Sequence, residues 1–422
     1  MREMKNSGIE WIGEIPMEFD VVPLKYEFQV LDDQRKPIAA DKRNRASDNL
    51  YPYYGASGQI DEIDGYTLDD DVLLIGEDGA NLLLRNLPLI YQVHGKAWIN
   101  NHAHILKPKV STNYMYAFYM LESLDITNYI SGSAQPKLNQ QALLNMPVIT
   151  PPLDEQNRIA NYLDKKCSEI DAITKDIQTQ IDTLEQYKRS VITEAVTKGL
   201  DPDVEMKDSG IGWFGKINSQ ISVSRVGLHY DIILGKMICS YPLGKMVEYP
   251  YYCAANVHFD GINNENLKTM YFSNHEISMY AVKKGDLLVV EGGAGAGGCA
   301  IVKEAPGIVG IQNSIMLVRG RNNKSDARFL GYVIQMLVKQ GYINFVCNKA
   351  TIPHFTKEKL SSVPIPLWSI DRQQQIADYL DTKCAEIDMI IAKKNKQLSI
   401  LSDYKKSLIY EYVTGKKELP AE

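Results

Sequence analysis

The 422-residue sequence lacks several features that would fix its class at once. None of its six cysteines forms a CxxC pair, so the cysteine spacing predicts neither a zinc ribbon nor a dithiol redox centre. It has no run of about eighteen apolar residues, and its first residues, MREMKNSGIE, contain no apolar signal core. We therefore expect a cytoplasmic protein with reduced thiols and no membrane span.

Motifs of catalysis and cofactor binding are also missing. There is no Walker A motif and no Asn/Asp-Pro-Pro-Tyr/Phe element of the kind used for amino-group methylation. The run GGAGAGG at 292–298 is not followed by Lys-Ser/Thr, so we interpret it as a glycine-rich turn. His102 and His104 form an HxH pair without nearby cysteine or carboxylate ligands, which argues against a metal site and favours two exposed polar readers at a strand start. The sequence predicts a non-catalytic chain without a metal or cofactor of its own.

The chain lacks an excess of positive charge, since its net charge is −6. Binding to a polyanion would then need local basic clusters or basic partner subunits. What the chain does have is tyrosine, with 25 residues against nine phenylalanines. Tyrosine both stacks and hydrogen-bonds, which suits half-exposed contact surfaces.

The sequence contains an internal repeat. MKNSGIEWIG at 4–13 returns as MKDSGIGWFG at 206–215, and YPYYGASG at 51 returns as YPYYCAAN at 249. LLIGEDGA at 73–80 similarly resembles LLVVEGGA at 287–294. DEQNRIANYLDKKCSEIDAI at 154–173 returns at 371–390, and from there the offset stays at 217 (371 − 154). Each half is thus a variable, loop-rich domain followed by a segment of fixed length.

The fixed-length segment is predicted to be a long helix, because apolar residues recur every seven positions and no proline or glycine interrupts 154–198. Its seam consists of Leu163, Ile170, Ile177, Leu184 and Val191, and in the second copy of Leu380, Ile387, Leu401 and Leu408, with Lys394 as an interruption. The companion apolar positions are Ile159, Ile173, Tyr187, Ile376, Ile390 and Tyr404. An amphipathic rod of about 60 Å is not stable alone. We expect the two copies to pack antiparallel; the alternative is that each packs only on its own domain.

The variable segments alternate short apolar runs, such as DVLLIG and SIMLVRG, with turn residues, and each contains one helix-like run, at 114–123 and 326–340. The predicted fold class is α+β. Two mixed α/β domains, 1–150 and 201–366, are separated by two long antiparallel coiled-coil helices, 151–200 and 367–422, in a pseudo-twofold repeat.

Four groups of polar residues are candidates for contacts with DNA. They are Lys36, Arg43 and Arg45 in the basic segment 34–45; Tyr54, Ser57, Gln59, Lys245, Tyr252 and Asn256 around the tyrosine phrases; Asn101, His102, Gln312 and Asn313 at strand starts; and Gln135, Lys137, Lys349, Thr351 and His354 in the loops before the long helices. Basic residues suit phosphates, whereas Asn and Gln can read adenine. The alternatives are a solvated loop, a buried tyrosine strand, with Tyr53 and Tyr251 in the core, and capping of the following helix.

Several of these segments resemble a known family. MKNSGIEWIGEIP, PVITPPLDEQNRIANYLDKK and YKRSVITEAVTKG are similar to segments of the DNA specificity subunit of type I restriction-modification systems. The second copy departs from the pattern, with DRQQQIA and PLWS. The resemblance implies that each variable domain reads one half of a bipartite, asymmetric target in double-stranded DNA, while the helices bind two modification subunits. S-adenosylmethionine, ATP and Mg²⁺ would then belong to modification and restriction subunits, not to this chain.

A second hypothesis comes from another functional class. Tyrosine-rich loops on a coiled coil also suit an interaction protein whose two domains bind carbohydrate or peptide and never nucleic acid. Steep weakening of duplex binding with salt would separate the two hypotheses.

Overall fold

The repeat of the sequence is also a repeat of secondary structure. The computed structural model describes residues 2–46, 48–132, 135–242, 244–347 and 353–420. The first copy contains the strands β1 (Met4–Asn6), β2 (Glu14–Pro16), β3 (Asp20–Pro23), β4 (Phe28–Val30), β5 (Leu50–Gly55), β6 (Gly58–Asp64), β7 (Leu68–Asp69), β8 (Val72–Gly76), β9 (Ile90–Val93), β10 (Lys96–Ile99), β11 (Ala103–Pro108) and β12 (Pro147–Thr150). Its helices are α1 (Asn81–Leu84), α2 (Tyr114–Glu122), α3 (Gln140–Asn145) and α4 (Leu153–Thr197).

The second copy follows in the same order with a few additions. Its strands are β13 (Met206–Asp208), β14 (Lys216–Asn218), β15 (Ser222–Arg225), β16 (Tyr230–Leu234), β17 (Val247–Tyr252), β18 (Val257–His258), β19 (Gly261–Ile262), β20 (Lys268–Phe272), β21 (Leu287–Val290), β22 (Cys299–Ile301), β23 (Gly310–Ile311), β24 (Ile315–Gly320) and β25 (Pro364–Leu367). Its helices are α5 (Val226–His229), α6 (Asn274–Tyr280), α7 (Ala327–Lys339), α8 (Tyr342–Val346), α9 (Lys357–Ser362) and α10 (Ile370–Val413).

The main sheets have matching topology. One sheet has the order β4-β11-β8-β9 in the first copy and β16-β24-β21-β22 in the second. The other has the order β6-β5-β10-β7 in the first copy and β20-β17-β23 in the second. The central strand β8, VLLIG, is buried along its whole length, as expected of a short aliphatic run.

The tyrosine phrases occupy the same register in both copies. Strand β5 pairs in parallel with β10, with Tyr53 opposite Trp98, and β17 pairs in parallel with β23, with Tyr251 opposite Gly310. Both Tyr53 and Tyr251 are buried. The phrase YPYY is therefore first of all a strand whose second tyrosine fills the core.

The described residues divide into two compact units. Unit 1 comprises those in 1–178 and 395–422, and unit 2 those in 179–394. The division falls within both long helices, so each helix contributes one part to each unit. The sequence-based boundaries placed the helices in segments of their own, at 151–200 and 367–422.

The antiparallel pairing of the long helices is visible inside each unit. In unit 1, Leu163 near the start of α4 shares a buried cluster with Leu408 near the end of α10. In unit 2, Val191 near the end of α4 shares one with Leu380 near the start of α10. Ion pairs follow the same register, since Asp171 contacts Lys405 in unit 1 and Asp388 contacts Lys188 in unit 2. The predicted antiparallel arrangement is thereby confirmed.

The seam residues differ in how deeply they are buried. Leu163, Ile170, Val191, Leu380, Ile387 and Leu408 are buried, while Ile177, Leu184 and Leu401 are half-buried. At the interruption of the seam, Lys394 Nζ donates to Gln180 Oε1 at 2.5 Å, which gives the charged head an acceptor beside the seam. Ile181, which the heptad reading omitted, is buried as well.

Four of the companion positions were predicted wrongly. Ile173, Tyr187, Ile390 and Tyr404 are exposed, whereas Ile159 and Ile376 are buried. The difference follows from what covers the helices. Ile159 and Ile376 belong to the cores that include the sheets and short helices of their units, while a bare pair of helices buries only a narrow stripe.

A buried glutamine attaches each long helix to its domain. Gln156 Oε1 accepts the backbone N–H of Asn113, the N-cap of α2, at 2.9 Å, and Gln156 Nε2 donates to the Pro151 carbonyl. In the second copy, Gln373 makes the same bonds to Asp326 and to the Trp368 carbonyl. The two glutamines are related by the repeat offset, so the attachment of helix to domain is part of what was duplicated.

Candidate functional site

In unit 1, several predicted contact residues meet where strands of the two sheets end. We call this the strand-end surface; it comprises residues 55–58, 76–79, 100–103 and 135–137. The β5–β6 turn lies against the end of β8, because a Cβ added at Gly76 would come within 2.9 Å of the Ala56 carbonyl oxygen. The turn after β10 is joined to the same place by a bond from Glu77 N to the His102 carbonyl, 2.8 Å long.

His102 is an exposed residue of this surface that is hydrogen-bonded through both its ring and its backbone. Its Nδ1 lies 2.8 Å from Asp78 Oδ2, and its backbone N–H donates to Asn100 Oδ1 at 2.8 Å. Half of the imidazole is nevertheless exposed. Next to it, Asn101 is exposed, while Asn100 is buried and serves as an internal acceptor.

A cluster of charges lies beneath this pair. Glu77 accepts from Arg35 at 2.6 Å and from Lys137 at 3.0 Å. Burial alone would raise the pKa of Glu77, but the hydrogen bonds from Arg35 and Lys137 lower it below the usual value. Lys137, a predicted contact with DNA, is still half exposed. Its first role is to fix the loop before α3 to the end of β8.

His104 corrects the interpretation of the HxH pair as two exposed readers. Its side chain is buried, with Nδ1 at 2.6 Å from Asp32 Oδ2 and Nε2 at 2.9 Å from the Leu138 carbonyl. Both ring nitrogens therefore face oxygen acceptors, which makes His104 an internal connector. The difference follows from their positions, because His102 lies in the turn before β11, whereas His104 lies within the buried part of that strand.

The basic segment 34–45 is less available for phosphates than its charge suggested. The Arg43 guanidinium lies over the Tyr53 ring at 4.3 Å from its centroid and pairs with Asp61 at 3.2 Å, so the predicted phosphate contact of Arg43 is corrected to a structural role. Arg45 also pairs with Asp61, and its hydrogen bonds hold the pKa of that carboxyl well below its usual range. Lys36 and Arg45 remain exposed.

The residues around the tyrosine phrases divide between core and surface. Ser57 and Gln59 are exposed and Tyr54 is half-buried. Tyr252 is fully buried, and its hydroxyl donates to Asn264 at 2.6 Å, so the predicted contact of Tyr252 with DNA is wrong. Asn256 is half-buried, and its side-chain amide accepts from Cys253 N and donates to the Asn263 carbonyl.

Unit 2 has an equivalent set of strand ends. Glu291 N donates to the Ser314 carbonyl as Glu77 N does to His102, so Ser314 and His102 are equivalent, as are Gln312 with Asn100 and Asn313 with Asn101. The side chain of Gln312 donates to Asn313 at 2.8 Å and accepts from Ser314 at 2.5 Å. These amides are half-buried and hydrogen-bond to one another.

The remaining candidates lie in loops. His354 replaces Lys137 as the basic partner of the strand-end glutamate, with Nδ1 at 3.7 Å from Glu291, and it is exposed. Gln135 and Lys245 are exposed. Lys349 and Thr351 lie outside the described residues.

Sequence reasoning missed the acidic residues that organise these surfaces. Glu77 and Glu291 stand at matching places in LLIGEDGA and LLVVEGGA, so the repeat itself was the signal. Asp78 had no such signal, because its equivalent is Gly292: the isolated bridge Asp78–Lys137 corresponds to Gly292–His354.

Two observations limit the chemistry of these surfaces. Across the described ranges, no group of three or more His, Cys, Asp or Glu side chains is arranged to hold a metal ion. Among those same residues, no helix is long and apolar enough to cross a membrane. What the strand-end surfaces do present is amides, two imidazoles and a lysine on short turns between rigid strands, an arrangement suited to hydrogen bonding with a polar partner.

Comparison with known proteins gives a consistent result. The sequence model of the type I restriction modification DNA specificity domain matches residues 16–183 and 242–399, once in each copy of the repeat. Each match covers most of a variable domain and reaches into the long helix that follows. No relative or solved structure in the comparison supports the alternative of a carbohydrate- or peptide-binding coiled-coil protein.

Individual relatives extend the match. The type I restriction enzyme MjaVIII specificity subunit of Methanocaldococcus jannaschii is 21% identical over 316 residues, covering 72% of this chain and 70% of that protein. A Haemophilus influenzae protein, provisionally named a type I restriction enzyme specificity subunit, is 31% identical over 161 residues, and the match covers 38% of each chain. A chain from a solved structure on assembly and conformational transition of the type I R-M system has a TM-score of 0.67 at 15% identity, covering 96% of this chain and 99% of that one. The last likeness concerns the fold.

Proposed function

Because the chain belongs to the type I restriction-modification DNA specificity family, we propose that each of its units reads one half-site of a bipartite, asymmetric target in double-stranded DNA. The observation that carries this proposal is the pair of equivalent strand-end surfaces on equivalent strands, with different side chains on each. Equivalent surfaces suit the same kind of ligand, and different side chains suit different base sequences.

The chain acts here without chemistry of its own. Methylation of adenine with S-adenosylmethionine, and DNA cleavage with ATP and Mg²⁺, are assigned to partner subunits. This part of the proposal rests on the resemblance to the family and on the lack of catalytic motifs in the sequence. The cytoplasmic location predicted from the sequence goes with this role.

The helix pair offers a place for two copies of one partner. Ile173 and Tyr404 in unit 1 are 48% and 51% exposed, and their equivalents Ile390 and Tyr187 in unit 2 are 43% and 54% exposed. Large apolar side chains exposed at equivalent positions indicate contact surfaces, and two equal patches indicate two equal partners. We assign one modification subunit to each patch.

Changing one patch tests the stoichiometry. The double variant Tyr187→Ala/Ile390→Ser alters unit 2 only, so the complex with modification subunits should fall from two copies to one by native mass spectrometry. The control is Ile400→Ser, because Ile400 is also exposed but its equivalent is Thr183. Retention of two copies in the double variant would refute the assigned patch.

The reading of a bipartite target is tested by sequencing adenine methylation in the host with and without this gene. A two-part motif should vanish without the gene. Helix α4 continues from unit 1 into unit 2 without a break. Four residues added between Ile177 and Leu184, with four matching residues near Lys394 in α10, lengthen the helices by about 6 Å, or nearly two base pairs.

We expect the insertion to lengthen the gap of the motif and to leave both half-sites unchanged. Four residues inserted between Asn322 and Asn323, in an exposed loop, are the control and should leave the gap as it was. An unaltered gap in a complex that still methylates would rule out helix length as its determinant.

A further inference from the structure

Two of the equivalent positions at which the strand-end surfaces of the two units differ belong together in unit 1. Unit 1 has Asp78 and His102 where unit 2 has Gly292 and Ser314. In unit 2 the hydroxyl of Ser314 is used internally, since it donates to Gln312 Oε1 at 2.5 Å and accepts from Ala254 N at 3.1 Å. The corresponding side chain in unit 1 is an imidazole that is half exposed.

The two ring nitrogens of His102 differ in their hydrogen bonding. Since a carboxylate only accepts, Nδ1 carries the hydrogen of the 2.8 Å bond to Asp78. Within the described residues, Nε2 has no hydrogen-bond partner. The backbone is held on both sides, by Asn100 Oδ1 at the amide and by Glu77 N at the carbonyl.

The neighbouring charges do not compete for this pair. Glu77 binds Arg35 and Lys137, and Asp32 binds His104 and Arg35, so these charges satisfy one another. Asp78 is thus committed to His102, and the ring orientation is set before any ligand arrives. A side chain fixed in advance loses little conformational entropy on binding.

We propose that His102 is a specificity-determining residue of unit 1, whose Nε2 hydrogen-bonds a base edge in the half-site read by that unit, and that Asp78 is its positioning residue. This inference rests on the proposed DNA-reading function. It adds that the imidazole reads one base position of one half-site, and that Ser314 has no corresponding role in unit 2.

The test uses the full complex with modification subunits and a pool of randomised double-stranded DNA, selected by binding and then sequenced. In His102→Ala, preference at one base position of one half-site should fall about tenfold, with the other half-site unchanged. Asp78→Ala should relax the same position, and the double variant should lose no more than either alone. Asp78→Asn, which can still accept from Nδ1–H, should retain most of the preference.

Two controls separate reading from folding. His94 also pairs with a carboxylate, Asp71, at 3.1 Å, and its ring is exposed. Asp71 directly precedes β8, whereas Asp78 follows it, and the strand between them is about 13 Å long. His94→Ala should leave every position unchanged. Ser314→Ala should not cause the loss of preference at a single base position that is expected of His102→Ala.

Each other outcome overturns the inference. If the motif of His102→Ala is unchanged, Nε2 touches no base and the inference fails. The proposed function would still stand in that case, provided that the wild-type complex selects a bipartite motif. A uniform loss over all sequences would instead indicate a phosphate contact or a folding defect. If the wild-type complex selects no bipartite motif, the proposed function itself fails.

Discussion

The helix pair and the strand-end surfaces were duplicated together. The two copies have stayed alike in the helix pair, but they have diverged at the strand-end surfaces. Lys188–Asp388 in unit 2 and Lys405–Asp171 in unit 1 are the same ion pair with the helices exchanged. At the strand ends, by contrast, unit 1 has an imidazole and a carboxylate at the positions where unit 2 has a serine and a glycine.

The difference has a physical reason. A residue on α4 must fit a residue on α10, and its repeat equivalent on α10 must fit the corresponding residue on α4, as in an isologous interface. Packing therefore ties the two helices to each other. The strand-end contacts described above join residues of the same copy, so each copy can change without disturbing the other.

The largest effect should come from emptying the seam. Leu163→Ala and Leu380→Ala remove equivalent side chains that are fully buried, and each should lower the free energy of unfolding by about 2–5 kcal/mol. Denaturant titration followed by circular dichroism measures the loss. Ser190→Ala, at an exposed position of α4, should change it by less than about 0.5 kcal/mol. Strongly unequal losses at Leu163 and Leu380 would contradict the equivalence of the two seams.

The next effect concerns the attachment of the helices to the domains. Gln156→Met and Gln373→Met keep the side-chain length but leave the N-cap amides of Asn113 and Asp326 without an acceptor. A buried unsatisfied donor costs about 1–3 kcal/mol, so both variants should lose stability by similar amounts. Gln186→Met, on an exposed face of α4, is the control and should be nearly neutral. Unchanged melting of Gln156→Met would show that the amide bond contributes nothing.

The sequence predicted the regular parts of this architecture well. Heptads, an uninterrupted segment and the repeat offset were enough for the two long helices and their pairing, because helix packing follows periodicity. The antiparallel direction followed from the domain between them, which must bring the chain back. Strands such as β8 and β24 followed from short aliphatic runs between turn residues.

Burial at the candidate site was harder to predict. Tyr54 and Tyr252 occupy matching registers, yet only Tyr252 is fully buried, which depends on the residues packed over each strand. Arg43 looked like a phosphate ligand because its partner, Asp61, lies eighteen residues further along the chain, in β6. Contacts between residues distant in sequence decide such roles, and one sequence does not display them.

A smaller difference in stability between the two units is expected at the strand-end glutamates. The pKa of Glu77 is lowered in the fold, so its stabilising contribution is complete above the unfolded value, about 4.3, and is lost as the pH falls through the folded pKa. Glu77→Gln should cost about 1 kcal/mol at pH 7, and the difference from wild type should shrink below about pH 4. Glu291→Gln should cost less, because its partner His354 lies at 3.7 Å.

The smallest effect is expected at the exchanged ion pairs, and it is also the sharpest test of the comparison. Lys188 and Lys405 each donate to an aspartate at 2.6 Å, but the carboxylates are 56% and 62% exposed, so each pair should contribute no more than about 1 kcal/mol and should weaken with salt. Double-mutant cycles with Lys188→Met/Asp388→Asn and Lys405→Met/Asp171→Asn isolate the coupling energies. If the repeat preserves the helix pair as one geometry used twice, the two energies should agree within error at every salt concentration. A pair that couples at one end and not at the other would mean that similar sequences hold the two units by different contacts.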